Sequence, residues 1–195
     1  PGMYPGYIMV VATCPKRKIT LNDVKDNTHH FDGWFHQDEA IKHLQKGDLL
    51  LGIKIEDKYV FYQWFEYGTA HLKRLSISFD PPKGVIHMAC MYTVPEFRGR
   101  GIATNSKPHS ILKIHEEGYK AVFGMIPPRN VKSHAVNRKA GARKYQNVVY
   151  KRILFIKYYK VSHGKESKVF LKIGKKGDDI WRCYFPWKLI ENENK

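Results

Sequence analysis

The fold is decided by VIHMACMYTVPEFRGRGIA, residues 85–103. The first ten residues are mostly apolar or β-branched, as in a buried strand, and Pro95 ends that run because proline cannot donate to a sheet ladder. Residues 98–103 read Arg-Gly-Arg-Gly-Ile-Ala and lead directly into a helix predicted over residues 102–117. The stretch therefore predicts a strand, a basic glycine-bearing turn and a helix in immediate succession.

The turn has the composition of an anion-binding site. Gly99 and Gly101 let the backbone turn tightly and approach a ligand closely. The first amides of the following helix lack intrahelical partners, and the helix dipole is positive at that end. Arg98 and Arg100 add charge, so the turn suits a phosphate or pyrophosphate; the other interpretation is an ordinary basic turn before a helix. The sequence contains neither GxGxxG nor the Gly-Lys-Ser/Thr of a P-loop.

Strand and helix patterns alternate along the 195 residues and predict one mixed α/β or α+β domain over residues 1–195. The predicted strands cover residues 7–13, 48–55, 59–67, 75–79, 85–94 and 119–126, and the predicted helices cover residues 34–46, 102–117 and 130–139. Pro108 lies inside the second helix, where it should kink the helix or delay its regular part. Residues 148–161 are strand-like throughout, and residues 162–195 are predicted to form an appended hairpin.

Composition excludes a disordered chain and points to anionic partners. Hydrophobic residues make up 43% and aromatic residues 13% of the chain, which is enough to bury a core. Lysine and arginine number 34 against 18 for aspartate and glutamate, so the formal net charge is +16. This excess favours nucleic acid, an acidic protein, a membrane surface or a phosphate-bearing cofactor, and charge alone does not choose among them.

The cysteines and histidines predict neither a disulfide framework nor a metal site. Cys14, Cys90 and Cys183 lie far apart and form no CxxC pair, which favours reduced thiols in a cytoplasmic protein. His29, His30, His36 and His43 are numerous enough to suggest a metal, but without a carboxylate or cysteine at ligand spacing we expect none. No apolar run approaches the ~20 residues of a membrane helix, so we expect no membrane span.

Together with its surroundings, the stretch resembles the GNAT superfamily of N-acetyltransferases over roughly residues 85–160. The family's cofactor signature is Arg or Gln, two variable residues, Gly, one variable residue, then Gly or Ala, and Arg98, Gly101 and Ala103 match it. Downstream, Asn130-Val131-Lys132-Ser133 and then Lys139-Ala140-Gly141 resemble the second signature, at the expected distance of one helix and one strand. The resemblance implies a twisted, mostly antiparallel sheet flanked by helices, with the C-terminal hairpin as an extension.

The resemblance also implies acetyl-CoA, or another acyl-CoA, as co-substrate. Its pyrophosphate would lie on the amides of the basic turn, and its pantetheine arm would run in a splay between two strands. The implied cofactor-binding residues are Met91, Tyr92, Thr93, Arg98, Gly99, Arg100, Gly101, Ile102, Ala103, Asn130 and Ser133. The implied reaction is direct attack of a primary amine on the thioester, with an amide near residues 91–93 polarising the carbonyl.

That attack needs a neutral amine, and an amine with a pKa near ~10.4 is almost wholly protonated at neutral pH, so a base is useful. In one subgroup of the family the base is a strand glutamate, and His87 occupies that position here. His87 is therefore either a base or a partly buried strand histidine, and Glu66 is a second candidate base. Strand alternation is expected to place His87, Ala89 and Met91 on one face.

Two departures from the family pattern bear on catalysis. Many members have a tyrosine that acts as general acid to the leaving thiolate, and Asn137 stands at that position here. Ala142 replaces the aromatic residue that usually follows the second signature. Tyr145 and Tyr150 are candidate substitutes for the acid, of which Tyr150 is taken as the catalytic candidate. The competing function is a non-catalytic module, which either senses acyl-CoA or binds nucleic acid.

Overall fold

A computed structural model describes residues 17–18, 20, 37–56, 58–72, 77–163, 165–173 and 179–180. The helices are α1 (Gln37–Gln45), α2 (Ile102–Glu116) and α3 (Val131–Lys139), and a short 3-10 helix covers Pro95–Phe97. The strands are β1 (Arg17–Lys18), β2 (Leu49–Ile55), β3 (Lys58–Glu66), β4 (Ala70–Leu72), β5 (Ile77–Phe79), β6 (Val85–Thr93), β7 (Ala121–Phe123), β8 (Asn147–Ile153), β9 (Ile156–His163), β10 (Glu166–Ile173) and β11 (Asp179–Ile180). The strand predicted over residues 7–13 lies outside the described residues.

The strands form three sheets that are mostly antiparallel. A five-stranded sheet has the order β1-β2-β3-β6-β7, in which β6 and β7 are parallel and the other neighbours antiparallel. A second sheet, β10-β9-β8, is antiparallel throughout, and a third has the order β11-β5-β4 with β11 parallel to β5. The predicted fold class, mixed α/β with a mostly antiparallel sheet and flanking helices, is confirmed.

The chain divides into two compact units. Unit 1 comprises Pro1–Ala70 and Pro81–Ala140 and contains the five-stranded sheet and helices α1 to α3. Unit 2 comprises His71–Asp80 and Gly141–Lys195 and contains the sheet β10-β9-β8. In unit 2, β9 and β10 pair as a hairpin, while residues 181–195 of the predicted C-terminal hairpin lie outside the described residues. The single domain over residues 1–195 and the appended hairpin over residues 162–195 stay predictions.

The core of unit 1 consists of two apolar layers, one on each face of the five-stranded sheet. The layer on the α1 side contains Ala40, Leu50, Tyr59, Tyr62 and Trp64. The layer on the α2 side contains Leu49, Leu51, Phe65, Ile86, Met88 and Ile114. A neighbouring cluster contains Ile53, Val60 and Phe61 from the strands and Ile102 from the start of α2. Because β3 is covered on both faces, it is buried from Tyr59 to Glu66 and reads as a nearly continuous apolar run.

Several element boundaries differ from the sequence-based expectation, and three of the differences are informative. β7 ends at Phe123 rather than near residue 126, and Gly124 follows it close to β6, where a Cβ would lie 3.3 Å from the Met88 carbonyl oxygen. α2 begins at Ile102, so Pro108 does not delay it. The strand-like run over residues 148–161 is two strands, joined at Leu154, whose φ of 53° makes a tight turn without glycine.

Candidate functional site

A β-bulge interrupts β6 at Ala89. In the pairing of β3 with β6, Phe65 lies opposite Met88 and Trp64 lies opposite Cys90, so Ala89 has no counterpart on β3. Ala89 is exposed, whereas the four residues before it in the strand are buried. One extra residue on one strand shifts the alternation of its side chains by one position. The two halves of β6 are therefore out of phase with each other.

The bulge separates two residues that were expected on the same face. His87 lies opposite Glu66 and Met91 lies opposite Gln63, and Glu66 and Gln63 point to opposite faces of β3 because they are three residues apart. His87 consequently faces the α1 layer, and Met91 packs with the α2 layer. The prediction that His87, Ala89 and Met91 share one face is wrong, because uninterrupted alternation was assumed across the bulge.

The parallel pairing of strands β6 and β7 ends just before this bulge. They pair in parallel only over three residues, Val85–His87 with Ala121–Phe123, and β6 then continues to Thr93. Within the part of the chain that the structure describes, no residue of β7 pairs with Met88–Thr93. Met91, Tyr92 and Thr93, predicted to line a splay between two strands, lie along this divergent segment. They are half-buried.

The basic turn ends in a glycine that caps α2. Gly99 and Gly101 have φ of 77° and 76°, in the left-handed region that favours glycine, and Gly101 is the N-cap of α2. Gly101 has no side chain to accept from the first amides of the helix, which begins with Ile102 and Ala103. Both predicted features of the turn, tight glycines and a helix N-terminus, are present.

The two arginines of the turn contact aromatic rings. Arg98 donates from Nε to the Thr93 carbonyl oxygen at 2.9 Å, and its guanidinium lies 5.3 Å from the centre of the Tyr92 ring. The Arg100 guanidinium lies 5.0 Å from the centre of the Phe97 ring. Arg98 therefore ties the end of β6 to the turn, and both side chains remain exposed.

Asn130 and Ser133 form the N-terminal cap of α3. The Asn130 side chain accepts a hydrogen bond from the Ser133 amide at 3.1 Å, and Asn130 is the N-cap residue. Their spacing in the sequence, which resembles a cofactor signature, is thus also the spacing of an asparagine cap. Asn130 is exposed and Ser133 half-buried, so both stay candidates for cofactor contact.

His87 and Glu66, the two candidate bases, form a buried hydrogen-bonded pair. His87 Nδ1 lies 2.9 Å from Glu66 Oε2, and both residues are almost fully buried. An ionised carboxylate can only accept, so in this pair Nδ1 would be the donor, and Nε2 is the ring nitrogen that Glu66 does not engage. The His87 ring stacks on Phe123, with centroids 4.7 Å apart, which fixes its plane where β6 and β7 diverge.

A second histidine–carboxylate pair adjoins the first on the α1 face. His43 Nδ1 lies 2.7 Å from Asp48 Oδ2 and 3.9 Å from Glu66 Oε1. Asp48 is buried and also accepts from the Tyr67 amide at 2.9 Å, whereas the His43 side chain is 18% exposed. The sequence analysis missed His43 and Asp48; the signal was the polar Asp48 directly before an apolar strand.

The opposite face of the sheet holds a buried polar network around Lys107. The Lys107 ammonium donates to Asn137 Oδ1 and lies 3.6 Å from Met88 Sδ. Gln63 donates to the same sulfur and accepts from the Ser110 hydroxyl at 2.7 Å. Burial lowers the pKa of Lys107 from 10.5 to about 8. This network was also missed, and its signal was the gap in the apolar stripe of α2.

Tyr150 belongs to unit 2. It lies on β8 and stacks on Tyr159 of β9, with ring centroids 4.9 Å apart and an angle of 28° between the planes. Tyr145 precedes β8 in the same unit, and burial raises its pKa. The role of Tyr150 as general acid stays a prediction.

The described residues provide neither a metal site nor a membrane-spanning helix. They contain no group of three or more histidine, cysteine, aspartate or glutamate side chains arranged to hold a metal ion. They also contain no helix with the length and apolar character needed to cross a bilayer.

Comparison with known proteins gives a likeness in structure and none in sequence. No protein-family model matches the chain, and no curated protein matches its sequence. Among solved structures, the aminoglycoside acetyltransferase meta-AAC0020 from an uncultured soil metagenomic sample matches with a TM-score of 0.52 and 12% identity, over 71% of this chain and 94% of that one. The aminoglycoside N-acetyltransferase AAC(6')-Iy, solved with CoA, matches with a TM-score of 0.53 and 17% identity, over 70% and 97%.

A ribosomal-protein-alanine N-acetyltransferase from Brucella melitensis biovar Abortus 2308 matches with a TM-score of 0.51 and 15% identity, over 70% of this chain and 97% of that one. The chain has a GNAT acetyltransferase fold. At these identities the likeness establishes the fold, and the resemblance seen in the sequence is confirmed at that level. The GNAT fold accounts for most of this chain and nearly the whole of each matched protein.

Proposed function

We propose that the protein is an N-acetyltransferase that transfers an acetyl or other acyl group from acyl-CoA to a primary amine. The observation that carries the proposal is the junction of β6 and α2: a strand that leaves its parallel neighbour after His87 and continues into a turn capped by Gly101. The fold supports the same reaction class, since the proteins matched above are named as N-acetyltransferases.

The residues of the turn suit a ligand that carries a diphosphate. Gly101 leaves the first turn of α2 without a side-chain cap, and a Cβ on Gly99 would meet nothing within 4 Å. Amides at a helix N-terminus and nearby positive charge are what a phosphate group requires. We propose that Arg98, Arg100 and the amides of residues 98–103 hold this group, and that the bound co-substrate supplies an activated thioester.

His87 is the proposed base for the acceptor amine. The hydrogen bond from Nδ1 to Glu66 holds the imidazole in the tautomer whose Nε2 accepts a proton. Glu66 also stabilises the imidazolium that forms when the amine gives up its proton. Glu66 is thereby a positioning residue rather than an independent base, which joins the two alternatives of the sequence analysis into one pair.

The acceptor is proposed only as a primary amine. The matched proteins are named for aminoglycosides and for ribosomal-protein alanine, and these differ widely in size. The competing proposal is an acyl-CoA sensor, which is favoured by Asn137 at the position where many GNAT members have the acidic tyrosine. An anionic macromolecular partner and a cytoplasmic location stay predictions.

Thermal shift with acetyl-CoA tests the binding site, and release of free thiol tests turnover. A ligand that binds only the native state raises its melting temperature, so acetyl-CoA should stabilise the protein. Thiol release that depends on an added pool of amines would support the enzyme. Stabilisation without thiol release would support the sensor, and the absence of any shift would contradict both.

A further inference from the structure

Among the residues that the structure describes, the buried cation of Lys107 has no anionic partner. It is 3% exposed, and its described contacts are the carbonyl oxygen of Asn137 and the sulfur of Met88. The groups that face it from β3, β6 and α3 are Gln63, Met88 and Asn137, none of which titrates. Burying a charge among neutral groups is costly, and an apolar side chain of similar size would be more stable there.

The network holds Lys107 in a defined place. Gln63 is fixed by the Ser110 hydroxyl, and its amide in turn holds the sulfur of Met88. Asn137 donates to the Ser133 carbonyl oxygen at 2.8 Å, which orients its own carbonyl toward the ammonium. Lys107, which lies on α2, therefore connects this helix to α3 through Asn137 and to β6 through Met88.

The position of this network connects it with the proposed reaction. Met88 is the last residue of β6 before the bulge, and β6 and β7 diverge from this residue onward. Lys107 lies one and a half helical turns beyond the N-terminus of α2, which is the proposed diphosphate site. The ammonium thus lies between the proposed cofactor-binding helix and the strand along which the thioester arm is proposed to run.

We propose that Lys107 donates a proton to the thiolate that leaves when the acyl group is transferred, in place of a tyrosine. This inference rests on the proposed function. In the balanced step, the amine nitrogen forms a bond to the carbonyl carbon and the carbon–sulfur bond breaks with its electron pair on sulfur. The acceptor ammonium first gives one proton to His87, which releases it to solvent before the attack. The proton on Lys107 Nζ passes to the leaving sulfur, the second amine proton passes to His87, and Lys107 then regains a proton from solvent.

The pKa of Lys107 is close to that of the leaving thiol. A free thiol has a pKa near ~8.5, and burial brings the pKa of Lys107 to about 8. A lysine at its ordinary pKa would be a poor donor to a thiolate, whereas these two groups exchange a proton at little cost. Lys107 is still mostly protonated at neutral pH, so it starts the reaction in the form that donates.

The test compares Lys107→Met with Lys113→Met on the wild-type background. Lys113 lies on the same helix, but its side chain is 50% exposed and pairs with Glu116, so its loss controls for removing one positive charge. We expect kcat in Lys107→Met to fall about 10²-fold with little change in KM for acetyl-CoA, and the control to match wild type. The decline in wild-type activity above about pH 8, as Lys107 loses its proton, should be missing from the variant.

A second readout needs no turnover. The ultraviolet absorbance of bound coenzyme A, followed against pH, reports when its thiol ionises. We expect the thiol to ionise at lower pH in the wild type than in Lys107→Met, because an adjacent ammonium stabilises the thiolate. Desulfo-coenzyme A, which has no thiol, gives the background for this titration.

Two results would overturn the inference. Equal kcat, pH profile and thiol titration in wild type and Lys107→Met would show that the lysine is structural. An acyl group found on Lys107 by mass spectrometry would make it an acceptor instead of a proton donor. Either result leaves the proposed function intact, because that proposal fails only if the wild type itself neither binds acetyl-CoA nor releases thiol.

Discussion

Both faces of the sheet around β6 carry buried polar groups, but the two faces differ in whether a charged group is paired with an opposite charge. On the α1 face each imidazole is hydrogen-bonded to a carboxylate, His43 to Asp48 and His87 to Glu66. On the α2 face the partners of the Lys107 ammonium within the described part of the chain are neutral. A paired charge keeps its stabilising partner when it is buried, whereas an unpaired one loses hydration without compensation.

The difference indicates which group suits which step. A base must gain a proton, and the proposed base His87 lies 2.9 Å from a carboxylate oxygen that can accept a hydrogen bond from the protonated ring. An acid must give its proton up, and the neutral surroundings of Lys107 favour its loss. The sheet therefore separates a site suited to accept a proton from one suited to donate it, with the divergence of β6 and β7 between them.

The largest expected effect comes from removing the proposed base, His87, on the α1 face. His87→Ala should lower turnover of a protonated amine by roughly 10²–10⁴-fold, because the acceptor is no longer deprotonated within the site. Steady-state kinetics from pH 6 to pH 9 should show partial recovery at high pH, where more acceptor is already neutral. Acetyl-CoA affinity should hardly change, since the proposed diphosphate site is elsewhere. Equal activity across this range would end the assignment and leave His87 as a packing residue.

On the α2 face, the next effect concerns the glycine that starts the helix. Gly101→Val should weaken acetyl-CoA binding about tenfold or more, because a side chain at the N-cap obstructs the amides that meet the diphosphate. It also costs about 1–3 kcal/mol of stability, since φ is 76° and disfavours any side chain. From the sequence alone, a bulky residue at position 101 is expected to cost little stability. The structure changes this expectation, because the left-handed φ of Gly101 disfavours any side chain.

Gly118→Val is the matched control for this variant. Gly118 follows the other end of α2, has φ of 88°, and a Cβ there would meet nothing within 4 Å. It should lose comparable stability in urea unfolding and keep its affinity for acetyl-CoA in titration calorimetry. Equal loss of affinity in both variants would trace the effect to the helix as a whole and remove the claim for Gly101.

Stability against pH sharpens the contrast between the two faces. Lys107→Met should raise the free energy of unfolding at pH 7 by about 1–3 kcal/mol, because it removes a buried unpaired charge. The unfolded chain keeps this proton up to a pKa of 10.5 and the native state only to about 8, so the penalty is complete below pH 8 and disappears as pH rises toward 10.5. Urea unfolding at pH 7 and pH 10 should show the advantage shrinking; an advantage independent of pH would contradict the burial of a charge.

The smallest expected effect concerns Asn130, and it distinguishes its role as the cap of α3 from its proposed contact with the cofactor. Asn130→Ala should cost about 1 kcal/mol, because the Ser133 amide loses its acceptor. Asn130→Asp restores an acceptor and should recover the melting temperature. If Asn130 also contacts acetyl-CoA, the aspartate variant should bind it more weakly than wild type at equal stability. Unchanged affinity in Asn130→Asp would leave Asn130 as a cap alone.

Local sequence signals predicted the elements of unit 1 well and their partners poorly. The strand ending before Pro95 and the helix starting after Gly101 agree with the structure to within a residue. The early end of β7 was not predictable, because its pairing with β6 stops at His87 and that register exists only in the folded sheet. The turn at Leu154 was missed because neither it nor its neighbour is a typical turn residue.

The sequence by itself determined the strand, turn and helix of residues 85–103 and the candidates His87 and Glu66. Those features follow from local sterics, since glycine, proline and β-branched residues restrict the backbone wherever they occur. Only the tertiary structure decided that the two candidates form one pair. The bulge at Ala89 exists only in the pairing of β6 with β3, and it sets the face on which each side chain lies. The burial of Lys107 likewise required α3 to pack beside α2, because an ammonium loses its water only when distant segments of the chain enclose it.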